Sequence, residues 1–243
     1  MTLILTIQSP ETIWLLADRR LSYNGAPPKD DARKVMFLET NDGVAILGYA
    51  GLGATARGTE PADWMSAVLR GRNLPLEQSL GALTNALNAQ FPRHMRAMSG
   101  VPVHTVMIPA FLNSEVKLYS IQLAFTSNRS SQMCRYTWWG VNNSTRAPRL
   151  RLAGSGADHL VKNKKNWMRP LLRLIKASDR RQVRELAVAD HLAQLNNEVY
   201  LNDKYVGPRR IVHTAPNHNV GVLTSWLLTR YHVTIFKRYQ KGL

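Results

Sequence analysis

The chain has 243 residues, with 32 lysines and arginines against 16 aspartates and glutamates, so its formal net charge is +16. Its hydrophobic content of 44% is typical of a folded globular protein, and a single cysteine excludes an intramolecular disulfide framework and a cysteine-based zinc site. No stretch approaches the roughly 18 uninterrupted apolar residues of a membrane span. The excess of positive charge is compatible with binding to nucleic acid, an anionic membrane, an acidic partner or an acidic substrate.

The first elements along the chain are two predicted strands joined by a tight turn. Residues 2–7 are rich in β-branched and leucine side chains, and they lack the basic segment and the longer apolar run of a signal peptide. A turn at Ser9-Pro10-Glu11 leads into a second strand over residues 12–17, so the two strands are predicted to form a hairpin. No leader is expected, and the protein is expected to be cytoplasmic.

Thr2 would become a complete catalytic unit if Met1 were removed. Methionine aminopeptidases remove the first residue when the second is small, and threonine is small enough. The hydroxyl of an N-terminal threonine is a nucleophile, and its own α-amine, with an ordinary pKa of about 7.7–8.0, is a suitable base. Threonine is also a common second residue, so Thr2 alone does not indicate an enzyme.

Two polar residues and a glycine turn follow Thr2 in a fixed order. Asp18 lies 16 residues after Thr2 in the stretch ADRR, and Lys34 lies 32 residues after Thr2 in the stretch RKV. An apolar run then ends in the stretch GYAG at residues 48–51. Separately, Asp18 is typical of a turn and Lys34 of a solvated surface.

In this arrangement the sequence resembles the proteasome family of N-terminal nucleophile hydrolases, which includes proteasome β-subunits, HslV-type peptidases and smaller bacterial proteasome homologues. That family has the same order of threonine, aspartate and lysine at the same two spacings, and similar stretches around them. The resemblance is dense over residues 2–56 and sparser, but still in order, over the rest of the chain. It implies a threonine-type endopeptidase whose nucleophile is Thr2.

Two later segments extend the resemblance. Ser155, in the stretch GSG, is similar to a serine that hydrogen-bonds near the terminal amine in the family. Asp203 and Gly207 match a family segment of the form DxxSG, but Val206 stands where that segment has its serine. This departure leaves one support of the amine missing.

The resemblance also implies the roles of the individual residues. Lys34, held by Asp18, places positive charge beside Thr2 and lowers the pKa of its amine, because a nearby like charge disfavours protonation. The backbone N–H of Gly51 is the implied oxyanion donor, since glycine lets substrate approach the backbone closely. Ser155 and Asp203 complete the implied catalytic set. Neither cofactor nor metal is required, and the pair of histidines in the stretch HTAPNH lacks a specific ligand spacing.

Four mostly apolar residues correspond to family positions that line the primary specificity pocket. These residues are Leu21, Ala32, Met36 and Tyr49. They predict a hydrophobic or small side chain before the cleaved bond, and they are equally typical of core residues. The resemblance further implies stacked homo-oligomeric rings, a peptide or unfolded protein as substrate, and an ATPase or other regulatory cap as a possible partner, with no membrane involved.

The remaining periodicity predicts two pairs of helices between groups of strands. The helices are expected near 62–69, 75–91, 157–177 and 179–199, with Pro92 ending the second and Pro170 kinking or splitting the third. The later strands are expected near 101–110, 116–125, 134–140, 210–214, 220–224 and 231–236. This order suits one α+β domain over residues 1–243, a four-layer αββα sandwich, which is also the fold that the resemblance implies.

Two other functions stay open from the sequence. The first is a basic nucleic-acid-binding protein, but the basic clusters are scattered and no helix-turn-helix, RNA-recognition or zinc-finger pattern is present, so nucleic acid is not the expected partner. The second is a catalytically inactive structural ring subunit. The intact set of Thr2, Asp18 and Lys34 argues against it, whereas a retained Met1 would favour it.

Overall fold

Strands and helices alternate in groups along the chain. The computed structural model describes residues 2–23, 26–51, 60–95, 105–128, 131–142, 147–176, 181–216, 223–229 and 232–238. Within these ranges the helices are α1 (Pro61–Leu69), α2 (Leu76–Met95), α3 (Ala157–Lys162), α4 (Lys164–Lys176) and α5 (Arg181–Asn202). The strands before α1 are β1 (Ile4–Gln8), β2 (Thr12–Asp18), β3 (Leu21–Tyr23), β4 (Ala26–Lys29), β5 (Val35–Thr40) and β6 (Gly43–Ala50). The later strands are β7 (Thr105–Leu112), β8 (Glu115–Asn128), β9 (Ser131–Asn142), β10 (Arg149–Ala153), β11 (Arg210–Pro216), β12 (Leu223–Thr229) and β13 (His232–Arg238).

Most of the strands belong to two antiparallel sheets. The first sheet has the order β10-β1-β2-β11-β12-β13, and the second has the order β5-β6-β7-β8-β9. A small third sheet pairs β3 with β4. Strands β1 and β10 are adjacent although more than a hundred residues separate them in the sequence. The predicted α+β class is therefore confirmed.

The N-terminal hairpin forms as predicted. The Ser9 hydroxyl accepts a hydrogen bond from the Thr12 backbone N–H at 3.0 Å, and the Ser9 N–H donates to the Thr12 carbonyl at 2.9 Å, which closes the turn between β1 and β2. Every residue of both strands is buried. This explains why their sequences are largely apolar and do not alternate strictly with polar residues, as is typical of strands covered on both faces.

Each of the two main sheets is covered by apolar groups on both faces. Residues such as Leu5, Trp14 and Leu16 of the first sheet pack with residues of α3, α4 and α5. Their neighbours Ile4, Ile13 and Leu15 pack instead against residues of the second sheet. The other face of the second sheet packs against α1 and α2.

Several element boundaries differ from the sequence-based expectation. Helix α2 continues to Met95, so the expectation that Pro92 ends it was wrong; a proline disfavours a helical residue before it but does not forbid one. The long third helix divides at Asn163 and not at Pro170, which lies inside α4. Strands β3, β4 and β10 were not predicted. Within the described ranges, no helix has the length and apolarity needed to cross a membrane.

Candidate active site

Three polar side chains that are distant in the sequence meet at one end of the two sheets. Thr2, Asp18 and Lys34 are each at most 3% exposed. The Thr2 hydroxyl donates a hydrogen bond to Asp18 Oδ1. Lys34 Nζ donates to Thr2 Oγ1 at 2.5 Å and to Asp18 Oδ1 at 3.1 Å. The hydroxyl, carboxylate and amine therefore form a closed triangle of buried contacts.

The N-terminal hairpin explains why Thr2 and Asp18 meet. In the register of β1 and β2, Ile4 lies opposite Ala17, which places Leu3 beside Asp18 and Thr2 at the open end of the hairpin. The Leu3 N–H donates to Asp18 Oδ1 at 2.9 Å, and the Asp18 N–H donates to the Leu3 carbonyl at 3.1 Å. A tight turn and two strands of this length thus fix the 16-residue separation of the two side chains.

Lys34 reaches the triangle from the second sheet. It directly precedes β5, and its carbonyl accepts a hydrogen bond from the Tyr49 N–H at 3.0 Å, next to the end of β6. Burial lowers the pKa of the Lys34 amine below its ordinary value, while the adjacent Asp18 carboxylate favours the charged form. The amine is thus a hydrogen-bond donor to Thr2 that loses its proton more readily than a solvated lysine.

The Asp18 carboxylate is a hub for several segments of the chain. Besides Leu3 and Lys34, its partners are the backbone N–H groups of Arg20 and Gly207, which both donate to Oδ2 at 3.0 Å. A buried carboxylate needs such donors to offset its lost hydration, and bonds to an ionised acceptor are the strong ones. The four donor segments therefore fix the orientation of Asp18, and through it that of the Thr2 hydroxyl.

Glycines surround the main chain of Thr2 on one side. Gly154 has φ of +92°, and a Cβ there would lie 1.9 Å from the Thr2 carbonyl oxygen, so only glycine permits this approach. The Gly156 N–H donates to the same oxygen at 3.4 Å. Between them, the Ser155 hydroxyl oxygen is buried and has no hydrogen-bond partner among the described residues. The predicted GSG turn thus lies against Thr2, with a hydroxyl still able to bind another group.

Gly51, the predicted oxyanion donor, follows β6 directly and has φ of +137°. This region favours glycine over residues with a side chain. Gly51 comes two residues after Tyr49, whose backbone is hydrogen-bonded to Lys34. Gly51 therefore lies at the same end of the second sheet as the triangle.

Asp203 takes part in a turn, and its contacts there do not include Thr2. Its Oδ1 accepts the Tyr205 N–H at 2.9 Å, and its carbonyl accepts the Val206 N–H at 3.1 Å. Val206 is fully buried in the cluster of the first sheet with α3, α4 and α5. The next residue, Gly207, then presents its N–H to Asp18. Asp203 shapes the turn that brings Gly207 to the site.

An ion pair that the sequence did not reveal ties this turn to the hairpin end. The Arg20 guanidinium donates to both carboxylate oxygens of Asp30, at 2.6 and 2.9 Å, and to the Lys204 carbonyl at 2.7 Å. The Asp30 carboxylate raises the pKa of Arg20 further above its ordinary value. Arg20 belongs to the ADRR stretch, but nothing in the sequence indicates Asp30 as its partner.

The predicted pocket residues divide between two environments. Leu21 and Ala32 are buried near the Asp18 segment. Tyr49 packs in the cluster of the second sheet with α1 and α2, and burial raises the pKa of its hydroxyl well above the ordinary value. Met36 packs against the same cluster, and its sulfur accepts a hydrogen bond from Ser66 at 3.1 Å. Met36 and Tyr49 therefore contact the helices, and a role for the four residues in specificity stays a prediction.

The sequence predicts no metal site, and His213, one of the two histidines in the stretch HTAPNH, lies in the core. Among the described residues, no group of three or more histidine, cysteine, aspartate or glutamate side chains is placed to hold a metal. His213 of β11 contacts Phe37 of β5 edge to face, with ring centroids 4.7 Å apart. Burial lowers the pKa of His213 to about 3, so its ring is neutral between the sheets. His218 lies outside the described residues.

Comparison with known proteins relates the chain to others through its fold. No protein-family model and no curated protein sequence matches it. A helical assembly of the Anbu complex from Pseudomonas aeruginosa matches with a TM-score of 0.59 at 11% identity, over 95% of this chain and 88% of that chain. Anbu (ancestral beta-subunit) from Yersinia bercovieri gives 0.56 at 12% identity, over 95% and 88%. A Gly-1 mutant of Anbu from Hyphomicrobium sp. strain MC1 gives 0.54 at 11% identity, over 98% and 87%.

At these identities the likeness concerns the fold alone. The chain therefore shares its overall fold with these three Anbu structures.

Proposed function

We propose that this chain is a threonine-type endopeptidase of the N-terminal nucleophile kind, in which removal of Met1 gives Thr2 a free α-amine. The observation that carries this proposal is the Thr2 hydroxyl, buried between the Lys34 amine and the Asp18 carboxylate. A structural threonine gains little from a buried lysine, because the burial of an amine is costly. A nucleophile, in contrast, gains from both a cation beside its oxygen and a fixed orientation.

The proposed reaction forms and then hydrolyses an ester on Thr2. The Thr2 oxygen attacks the peptide carbonyl while its proton passes to the Thr2 α-amine, directly or through a water molecule. The same amine then gives the proton to the leaving nitrogen, and the C–N bond breaks. Water attacks the ester in a second round of proton transfer, which releases the acid product and restores Thr2. No atom is left over, and the cycle needs no cofactor.

The surrounding residues have distinct proposed roles. Lys34 stabilises the developing charge on the Thr2 oxygen and lowers the pKa of the amine by its own charge. Asp18 fixes Lys34 and Thr2 in place. The Gly51 N–H stabilises the oxyanion, a contribution that is typically worth about 10²–10³ in rate. The free hydroxyl of Ser155 orients the new amine, and Asp203 supports the site through the turn that carries Gly207.

The layer order of the fold is also proposed. The clusters on either side of each sheet favour a four-layer αββα sandwich, with α3–α5 on the first sheet and α1–α2 on the second. The proposal treats residues 1–243 as one domain. Its catalytic triangle lies where the hairpin of the first sheet meets the start of β5 in the second.

Self-assembly follows as part of the proposal. A neighbour in fold is described as a helical assembly of the Anbu complex. We propose that this chain also assembles with itself, as stacked rings or a related closed array, so that the sites face an enclosed space. Peptides or unfolded proteins in the cytoplasm are the proposed substrates, delivered by an ATPase or other regulatory cap if one exists.

Intact-mass spectrometry tests the nucleophile. The protein is expected to lack Met1, and treatment with a peptide β-lactone or epoxyketone should add one inhibitor mass to Thr2. Thr2→Ala should abolish both the adduct and peptide hydrolysis, whereas Thr2→Ser, which keeps a hydroxyl, should retain measurable hydrolysis. A protein that keeps Met1 and takes up no inhibitor would contradict the proposal.

A second candidate is a catalytically inactive structural subunit, and Val206 is the observation that favours it. The family has a serine hydroxyl at the position that this fully buried, apolar side chain occupies. If the hydroxyl were indispensable, the Thr2 amine would be poorly oriented and the chain would assemble without hydrolysing peptides. The same mass measurement separates the two candidates, because only an active site accumulates the covalent adduct.

A further inference from the structure

Helix α4 presents a row of cations to solvent. Lys165, Arg169 and Arg173 are spaced four residues apart and Lys176 follows, so these four exposed side chains lie on one side of the helix. We refer to them as the α4 basic face. The opposite side of α4 is buried in the core through apolar side chains. Two further exposed lysines, Lys162 and Lys164, extend the positive charge toward α3.

Among the described residues, these cations make no contact that stabilises the fold. The sequence contains no acidic residue between Asp158 and Asp179, and no side chain of the α4 basic face forms an ion pair or hydrogen bond with the described residues. By contrast, exposed cations elsewhere, such as Arg33, pair with nearby carboxylates. Like charges four residues apart destabilise a helix, so α4 is stabilised by its buried side and in spite of its exposed side.

We propose that the α4 basic face binds the phosphate backbone of a nucleic acid duplex without reading its sequence. From the helical rise, Lys165 and Lys176 lie about 16 Å apart along the helix axis, a length that matches about five phosphates of one strand of a duplex. The net charge of +16 adds long-range attraction toward a polyanion. The sequence showed these residues only as scattered clusters; the helix aligns them.

The composition of the face argues against other occupants. Protein–protein interfaces are enriched in arginine but depleted in lysine, and arginines there usually accompany aromatic anchors. The α4 basic face has two lysines and no aromatic side chain, because Trp167 is buried in the core. Single-stranded nucleic acid is normally held by stacking on exposed aromatic side chains, which α4 therefore lacks. Backbone contact with a duplex needs only a row of exposed cations, which is what α4 offers.

The test measures binding of the full chain to a fluorescein-labelled 24-base-pair DNA duplex by fluorescence anisotropy over a series of KCl concentrations. Arg169→Gln/Arg173→Gln removes two charges from the centre of the face. The matched control, Arg70→Gln/Arg72→Gln, removes two exposed arginines beyond the end of α1. Each lost phosphate contact is expected to make the slope of log affinity against log salt less steep by about 0.9. For the face variant the slope should therefore be less steep by about 1.8, and the affinity at low salt should be roughly tenfold lower.

The outcomes are distinct. The control should bind as the unchanged protein does; equal weakening by both variants would overturn the proposal, because net charge alone would then explain binding. Preference for a polyglutamate peptide or for vesicles of anionic lipid over the duplex would overturn it in favour of an acidic protein or a membrane. A changed assembly state with unchanged duplex affinity would assign the face to self-contact and also overturn it.

A second double variant is used if the first one does not fold. If Arg169→Gln/Arg173→Gln fails to fold by circular dichroism, Lys165→Gln/Lys176→Gln removes the two outer charges and is judged by the same slope. Because duplex binding requires no hydrolysis, Thr2→Ala should bind the duplex as the unchanged chain does. The result is therefore independent of the proposed peptidase activity.

Discussion

At the scale of single residues, the triangle of Thr2, Asp18 and Lys34 depends on a balance between two buried charges. Lys34 and Asp18 are both removed from water, and each is accepted in the core because the other is 3.1 Å away. Breaking such a pair from one side typically costs about 3–5 kcal/mol, whereas replacing both members by neutral groups is often close to neutral. A variant that lacks one member of the pair can therefore be compared with a variant in which both are neutral, and this comparison separates the structural role of the pair from its proposed catalytic role.

Lys34→Met is predicted to lose both stability and activity. The methionine keeps the apolar length of the side chain but leaves Asp18 without its cation, so the free energy of unfolding should fall by about 3–5 kcal/mol. The double variant Asp18→Asn/Lys34→Met should recover much of that stability but still hydrolyse peptides at least about 10²-fold more slowly. Urea denaturation and a fluorogenic peptide assay measure the two effects. A double variant with near-normal activity would show that the cation is dispensable.

The residues of the triangle were predicted from the resemblance of their order and spacings to those of the proteasome family. The structure gives the physical basis of these spacings: a short hairpin brings Thr2 and Asp18 together, and Lys34 directly precedes β5. Gly207 was matched in the sequence, but its N–H bond to Asp18 joins residues 189 positions apart, and the spacing of side chains says nothing about a backbone donor. For the same reason the turn-forming role of Asp203 could not be predicted from its match to an acidic family position.

At the scale of elements, β11 and β5 enclose a histidine that stays neutral. The unfolded chain has an ordinary histidine pKa of about 6.5, whereas burial lowers the pKa of His213 to about 3 in the folded protein. Between these two values the unfolded state binds more protons than the folded state. Stability is therefore fully present above about pH 6.5 and falls with decreasing pH by up to about 1.4 kcal/mol per pH unit from this residue.

His213→Gln is predicted to flatten this dependence. Glutamine does not titrate, so the free energy of unfolding of the variant should fall less steeply between about pH 6.5 and about pH 4 than that of the unchanged chain. The variant is also expected to be less stable at pH 7, because it loses the edge-to-face contact with Phe37. Urea denaturation at several pH values gives both quantities. Parallel pH profiles for the two proteins would show that His213 is not the responsible group.

Element boundaries were predicted well where hydrophobic periodicity is strong and poorly where pairing is remote. The hairpin strands and α1 begin and end within about two residues of expectation. Strand β10 is short and only partly buried, and it forms by pairing with β1. The two strands are far apart in the sequence, so no local sequence pattern predicts their pairing. Helix α3 ends before Asn163, whereas Pro170, in the middle of α4, removes a backbone hydrogen bond without dividing that helix.

At the scale of the whole molecule, an exposed tryptophan on β9 is the best marker of the proposed self-assembly. Trp138 points toward the core and contacts Tyr119, with ring centroids 6.0 Å apart. Trp139, on the opposite face of the strand, is 56% exposed. Strand β9 lies at one edge of the second sheet as described, and an edge with an exposed aromatic side chain is a natural site for contact with another chain.

Trp139→Ser is predicted to weaken assembly without unfolding the subunit. The loss of one aromatic anchor should cost about 2 kcal/mol or more of association free energy, which corresponds to a shift of roughly thirtyfold or more in the concentration at which assemblies dissociate. The matched control is Val161→Ser, which removes an apolar side chain that is 58% exposed on α3. Light scattering coupled to size-exclusion chromatography measures both; an unchanged assembly profile for Trp139→Ser would exclude this face as an interface.

The hub at Asp18 also determines when, during synthesis, the site can exist. The carboxylate receives donors from Leu3, Arg20 and Lys34, which leave the ribosome early, but its last donor is the N–H of Gly207. A nascent chain therefore carries Thr2 and Asp18 from the start, whereas the Gly207 donor is added only when nearly the whole polypeptide has been made. The full set of contacts around the Thr2 hydroxyl can form only in a chain extended beyond Gly207, so the proposed activity is expected to be absent from shorter, unfinished chains.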